Sequence, residues 1–174
     1  MFASTGARIS EVLGIRWQDI GTAKTGAITG MLNRIPGQGM IRESFTKTEA
    51  GMRVLPLPAF AITILMGRQV AALGNLHGVV FPSALGALRD PSAVHKQWRT
   101  ARSCLTLDWV TSRTFRKTLA TLPDAQGLSA RVGADQLGHA QVSITQGVHI
   151  GRKAVHTEVA DALDRVVSTT TSFQ

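Results

Sequence analysis

Apolar positions recur at helical spacing in most of the chain and at strand spacing in one early stretch. Ile9, Val12 and Leu13 fall at i, i+3 and i+4, which predicts a helix entered from a loop and capped by Thr5. Trp17 to Ile20 reads as a short strand, Gly26 to Ile35 as a second, and Pro36-Gly37-Gln38-Gly39 as a turn. Phe45 and Met52 to Leu57 read as strand segments either side of Lys47-Thr48-Glu49-Ala50-Gly51, which places the lysine at a hairpin tip.

Beyond Pro58 the period becomes helical. Ile62, Leu65, Met66, Gln69, Val70 and Leu73 share one face and are expected in the core. After a loop at Asn75 to Gly78 and an extended segment at Val79 to Ser83, Pro91 to Arg102 predicts a helix burying Val94, Trp98 and Ala101. Ser112 then caps a helix that carries Arg116 and buries Phe115 and Leu119, with Pro123 stopping or kinking it. Ser129 caps a short helix ended by Gly138, and Ser143 caps another. Val155, Val159, Ala162, Leu163 and Val166 stripe a last helix, and the polar run from Ser168 onward reads as a frayed tail. The predicted fold is α+β and mainly α, with helices around a small antiparallel β-sheet. Residues 1–167 form one domain and residues 168–174 a flexible tail.

Composition narrows the class. Of 174 residues 44% are apolar, enough for a buried core. Nineteen Lys and Arg against eleven Asp and Glu leave a formal charge of +8, carried mostly by arginine. Guanidinium forks pair with phosphate oxygens, so the balance favours a polyanionic partner, and a solvated basic surface stands beside it as the plain alternative. Cys104 is the single cysteine, which excludes an intrachain disulfide and a cysteine-rich metal site and fits a cytoplasmic setting. Arg8, Glu11, Arg16 and Asp19 interrupt any signal-peptide run, and Pro56 and Pro58 break the longest apolar stretch, so no membrane span is expected. A zinc site from His139, His149 and His156 matches no common ligand spacing, so neither a metal nor a cofactor is expected.

The chemistry lies in a few short motifs. Thr5-Gly6-Ala7-Arg8-Ile9-Ser10-Glu11, Lys47-Thr48, Arg116, Leu137-Gly138-His139 and the segment ending at His149 together resemble the tyrosine recombinases, the family of phage integrases. The order and spacing agree over essentially the whole chain. Gly151-Arg152-Lys153-Ala154-Val155 resembles the actinobacterial members.

The resemblance implies the catalytic domain that breaks and rejoins DNA, in which a tyrosine attacks a phosphodiester, forms a 3′-phosphotyrosyl link and releases a 5′-hydroxyl without a metal. Guanidinium groups must then neutralise the phosphorane, the role that matches Arg8 and Arg116. Lys47 matches the lysine that protonates the leaving oxygen, and His139 the histidine that hydrogen-bonds the phosphate. The implied partner is double-stranded DNA, with room for a homo-oligomer assembled on it. Taken singly, Arg8 is also close enough to Glu11 for an ordinary structural ion pair.

Two positions depart from the family pattern. His149 stands where the nucleophile belongs, and the chain contains no tyrosine. A histidine ring nitrogen stops about 2 Å short of a phenolic oxygen, where about 1 Å already matters. Arg113 stands where the family places a histidine proton acceptor, and a guanidinium cannot act as a base. Relatives also carry a DNA-binding domain and further helices ahead of the first motif, so an exposed apolar surface is expected where those helices would dock. The resulting expectation is a site that binds DNA phosphate with strand cleavage lost. Two alternatives stand beside it: a non-catalytic DNA-binding or regulatory module gripping DNA through the Ser129 to His149 helical pair, and a nonfunctional remnant.

Overall fold

The computed structural model describes residues 1–46, 51–72, 74–138 and 155–171. Seven helices and two small antiparallel sheets appear among them: α1 (Phe2–Thr5), α2 (Ile9–Gly14), β1 (Ile20–Gly21), β2 (Thr25–Ile28), β3 (Met31–Ile35), β4 (Gly39–Glu43), β5 (Arg53–Pro56), α3 (Ala59–Ala71), α4 (Pro91–Cys104), α5 (Ser112–Ala125), α6 (Ala130–Leu137) and α7 (Thr157–Thr171). This is the mainly helical α+β arrangement expected, with the sheet split in two.

The split has a local cause. Gly26 to Ile35 does not run as one strand, because Arg42 crosses it at Thr29 and Gly30: its Nη2 donates to Thr29 Oγ1 at 2.6 Å and its Nε to the Gly14 carbonyl at 2.7 Å. A Cβ on Gly30 would collide with the Glu43 carbonyl, so only glycine lets β4 come this close. β3 and β4 therefore form their own hairpin, while β2 lies between β1 and β5, with Gly26 opposite Leu55. Phe45 lies outside any strand, and the antiparallel neighbour of β5 is β2. Trp17 to Asp19 is a 3-10 turn instead of a strand; the Asp19 carboxylate accepts the Arg16 N–H at 2.8 Å and bends the chain before the two-residue β1.

Among the described residues, two apolar clusters hold the fold together. Ala7, Val12, Ile15, Ile28, Leu55, Leu57, Leu65 and Val80 pack between α2, the three-stranded sheet and α3. Leu119, Val132, Leu137, Val159 and Leu163 pack where α5, α6 and α7 meet. Of the expected stripe on α7, Val159, Ala162 and Leu163 are buried, whereas Val155 and Val166 are exposed, and the helix continues through Thr171, into the run expected to be a frayed tail.

Three expectations are corrected. Thr5 ends α1 instead of capping α2: its hydroxyl donates to the Met1 carbonyl at 2.8 Å and accepts from Ala7 N–H at 3.2 Å. On α3 the buried stripe is Ala61 and Leu65, whereas Met66 and Val70 face solvent, at 63% and 90% exposure. That helix is apolar almost all round, so periodicity could not single out its inner stripe. Helix α4 buries none of its residues fully; Trp98 lies sideways, its ring 6.0 Å from Phe115 and its Nε1–H on the Val110 carbonyl. Exposed apolar side chains also gather just after α4, at Leu105, Leu107 and Trp109. None of the described helices is long and apolar enough to cross a membrane.

Candidate functional site

The site starts at the left-handed turn between α1 and α2. Gly6 has φ +61°, and its bare Cα lies against Leu137 and Leu119. That contact sets the end of α6 against the first motif. Gly138, at φ +64°, closes α6, and Ser129 caps the other end by accepting from Val132 N–H. Both signals were present in the sequence.

Arg116 reaches into this junction from α5. Its Nη1 donates to the Gly6 carbonyl at 2.8 Å and its Nη2 to the Leu137 carbonyl at 2.7 Å. Helix α5 can present it because Leu119, one turn on, is anchored in the core at 1% exposure. Thr111, not Ser112, makes the reciprocal bonds with Thr114 that start this helix. Burial, together with the nearby charges of Arg8 and Arg53, holds the Arg116 guanidinium below its ordinary pKa. It remains a cation at neutral pH, since arginine does not deprotonate in proteins.

Arg8 lies at the head of α2. Its backbone N–H donates to Glu11 Oε2 at 3.0 Å and its Nη1 to Glu11 Oε1 at 2.8 Å, so the structural pairing read from the sequence is present. The Arg8 side chain nonetheless stays 41% exposed, against 2% for Glu11. Its Nε and Nη2 make no hydrogen bond to any described residue, and they are the donors free for a ligand.

Sequence reasoning missed Arg53. It begins β5, and its side chain is 7% exposed. Nε donates to the Gln136 carbonyl at 3.1 Å, Nη1 to the Gly51 carbonyl at 2.7 Å and Nη2 to Glu11 Oε2 at 3.2 Å. A signal for it existed. Strand alternation puts Arg53 on the side of buried Leu55 and opposite exposed Val54, and an inward arginine needs a carboxylate. Burial lowers the Arg53 pKa, and the Glu11 charge opposes that shift. For Glu11 burial acts to raise the pKa, but the Arg53 charge and the Arg8 hydrogen bonds outweigh it and the net shift is downward.

Three guanidiniums therefore gather around one carboxylate that pairs with two of them, Arg8 and Arg53, which leaves two positive charges in excess at the junction. A phosphodiester is the anion such an array suits: planar forks, held without reorganisation, in a half-buried setting. Arg113 is on the exposed surface of α5, three residues before Arg116, and takes no part in the network among the described residues. Lys47, His139 and His149 lie outside the described residues, as does Ser143.

Known proteins show the same arrangement of chain. The phage integrase family matches residues 1–148, and the chain belongs to that family. Among curated relatives, a "tyrosine recombinase XerC-like" protein of Caldanaerobacter subterraneus subsp. tengcongensis is 24% identical over 83% of this chain and 42% of its own length. An integrase of Streptomyces ambofaciens is 26% identical over 83% of this chain and 41% of its own length. The chain thus spans well under half of the curated relatives it matches. Among solved structures, the Tn1549 transposon integrase in complex with a circular intermediate DNA superposes with a TM-score of 0.72 at 17% identity, covering 95% of this chain and 56% of that one. The crystal structure of XerA recombinase gives 0.60 at 19% identity, over 99% and 55%. At these identities the likeness shows the fold, that of a tyrosine recombinase catalytic domain.

Proposed function

We propose that this chain binds the phosphodiester of double-stranded DNA as tyrosine recombinases do, and that it does not cleave it. The observation that carries the reading is the pair of hydrogen bonds that Arg116 donates to the Gly6 and Leu137 carbonyls, which brings Arg8 and Arg116 to one half-buried, cationic junction. Arg8 and Arg116 grip the non-bridging oxygens. Lys47 is assigned the leaving 5′-oxygen and His139 a further hydrogen bond to the phosphate. Loss of cleavage follows from chemistry: the sequence has no tyrosine to attack with, His149 occupies that place, and Arg113 cannot accept a proton. The DNA-bound Tn1549 integrase supports DNA as the partner, and the excess of basic residues supports it independently.

Incubation with nicked duplex DNA, followed by denaturing electrophoresis, tests both halves of the reading. Equilibrium binding that weakens steeply with salt, without a covalent adduct, is the expected result. An adduct that disappears in His149→Ala overturns the loss of cleavage, and binding indifferent to salt overturns the phosphate grip.

A further inference from the structure

The hydrogen bonds around the two arginines close into a ring. From Arg116 it passes through the Gly6 carbonyl and two residues of backbone to Arg8, then to Glu11 Oε1. From Glu11 Oε2 it continues through Arg53 Nη2, across the guanidinium to Nε, and on to the Gln136 carbonyl. One residue further the Leu137 carbonyl returns it to Arg116. Every segment of the ring but one belongs to the motifs of α2, α5 and α6. The exception is Arg53, which comes from the β-sheet.

We propose that Arg53 is a positioning residue of the phosphate cradle, setting the separation of Arg8 and Arg116 by holding the Glu11 carboxylate and the Gln136 carbonyl at once. This rests on the phosphate-binding reading given above. Arg53 does not itself touch the phosphate: each of its three nitrogens already has a protein acceptor, and its side chain is buried. What it governs is its neighbours. Glu11 Oε2 is shared by Arg53 and the Arg8 backbone, so losing Arg53 frees the carboxylate to rotate, and Arg8 turns with it. On the other side the Gln136 carbonyl precedes the acceptor of Arg116 by one residue, so a shift there moves Arg116.

The third bond, to the Gly51 carbonyl, extends the same hold to the start of β5. Thr46 and Gly51 are themselves in close contact: a Cβ on Gly51 would fall onto the Thr46 side chain. The two ends of the segment that carries Lys47 are thereby anchored to the cradle through one guanidinium. Lysine cannot replace it, because a single ammonium cannot meet acceptors that a planar fork reaches in three directions.

The test is a titration of the intact chain with inorganic phosphate, and in parallel with a short duplex, read from the arginine Nε–Hε NMR signals. Arg8 and Arg116 signals are assigned through Arg8→Lys and Arg116→Lys. In the unsubstituted chain both signals are expected to move with one common midpoint. In Arg53→Met and Arg53→Lys, held below their melting temperatures, the midpoints are expected to separate or to rise about tenfold, the scale of one misaligned charge-assisted hydrogen bond. Glu11→Gln weakens the same link within the same shape and is read in the same way where either Arg53 variant does not fold. A common, unchanged midpoint in a folded Arg53 variant, or in Glu11→Gln, overturns the positioning role and leaves the phosphate reading intact. Absence of any response in the unsubstituted chain overturns the phosphate reading itself, before any variant is compared.

Discussion

Leu137 packs against the bare Cα of Gly6: a Cβ built there would lie 2.8 Å from Leu137 Cδ2 and 3.2 Å from Leu119 Cδ1. Two motifs more than a hundred residues apart in sequence are thus fitted together by the absence of one methyl group. The contact also aligns the two carbonyls that Arg116 bridges.

Gly6→Ala meets two penalties at once. The backbone is left-handed at φ +61°, which costs an L-residue roughly 1–2 kcal/mol, and the methyl overpacks Leu137 and Leu119 for roughly 1–3 kcal/mol more. Urea unfolding should show a lowered midpoint, corresponding to a stability loss of about 2 kcal/mol or more. DNA affinity should fall in the folded fraction as well, because relief of the clash pushes Leu137, and the acceptor of Arg116, away from Gly6. Unchanged affinity with reduced stability would show that the cradle tolerates this displacement.

Glu11 ties stability to pH. Its folded pKa is below the ordinary glutamate value of about 4.3, so its contribution is full above that value and is lost as pH falls through the lower folded pKa. The stability gap between the unsubstituted chain and Glu11→Gln should be widest near neutrality and narrow on acidification below about pH 4. Denaturant midpoints measured across that range give the gap directly. A gap independent of pH would mean that the carboxylate charge does not matter to Arg8 and Arg53.

Gln136 offers a change of opposite sign. Its side chain is 1% exposed, and its Nε2 has no hydrogen-bond partner among the described residues, although its backbone carbonyl serves Arg53. An unsatisfied buried amide costs about 1–3 kcal/mol. Gln136→Met keeps the length and removes the orphan donor, so it should raise stability by about 1 kcal/mol while leaving the Arg53 bond in place. Thermal unfolding reads the outcome, and a lower melting temperature would indicate that the amide does useful work where it is.

Much of the fold was legible because its signals are local. Ser129 and Gly138 bracket α6 by cap chemistry that is independent of the surroundings, and Val159, Ala162 and Leu163 mark the inner face of α7 by spacing. Where the sequence misled, tertiary contact decided. The side of α3 that faces inward depends on what covers it, and Met66 and Val70 are as apolar as Ala61 and Leu65. The break between β2 and β3 is made by Arg42 arriving from a strand still to come. The site divides in the same way. Arg8 and Arg116 were visible as members of motifs, whereas Arg53 belongs to none and is defined by its three acceptors, two of which lie 42 and 83 residues away in the chain.

Arg116→Lys separates the two tasks of this side chain, locking the junction and meeting phosphate. The guanidinium reaches the Gly6 and Leu137 carbonyls with separate nitrogens, 2.8 and 2.7 Å away, and keeps Nε besides. A lysine preserves the charge but brings one ammonium in place of two spaced donors, so one half-buried carbonyl loses its partner. The expected stability loss is about 1–3 kcal/mol. DNA binding should weaken further than this instability explains, while the slope of log affinity against log salt stays close to that of the unsubstituted chain, because the charge is kept and only the fork is lost. Binding that weakens no further than the instability explains would confine Arg116 to the structural task and leave Arg8 alone to meet the phosphate.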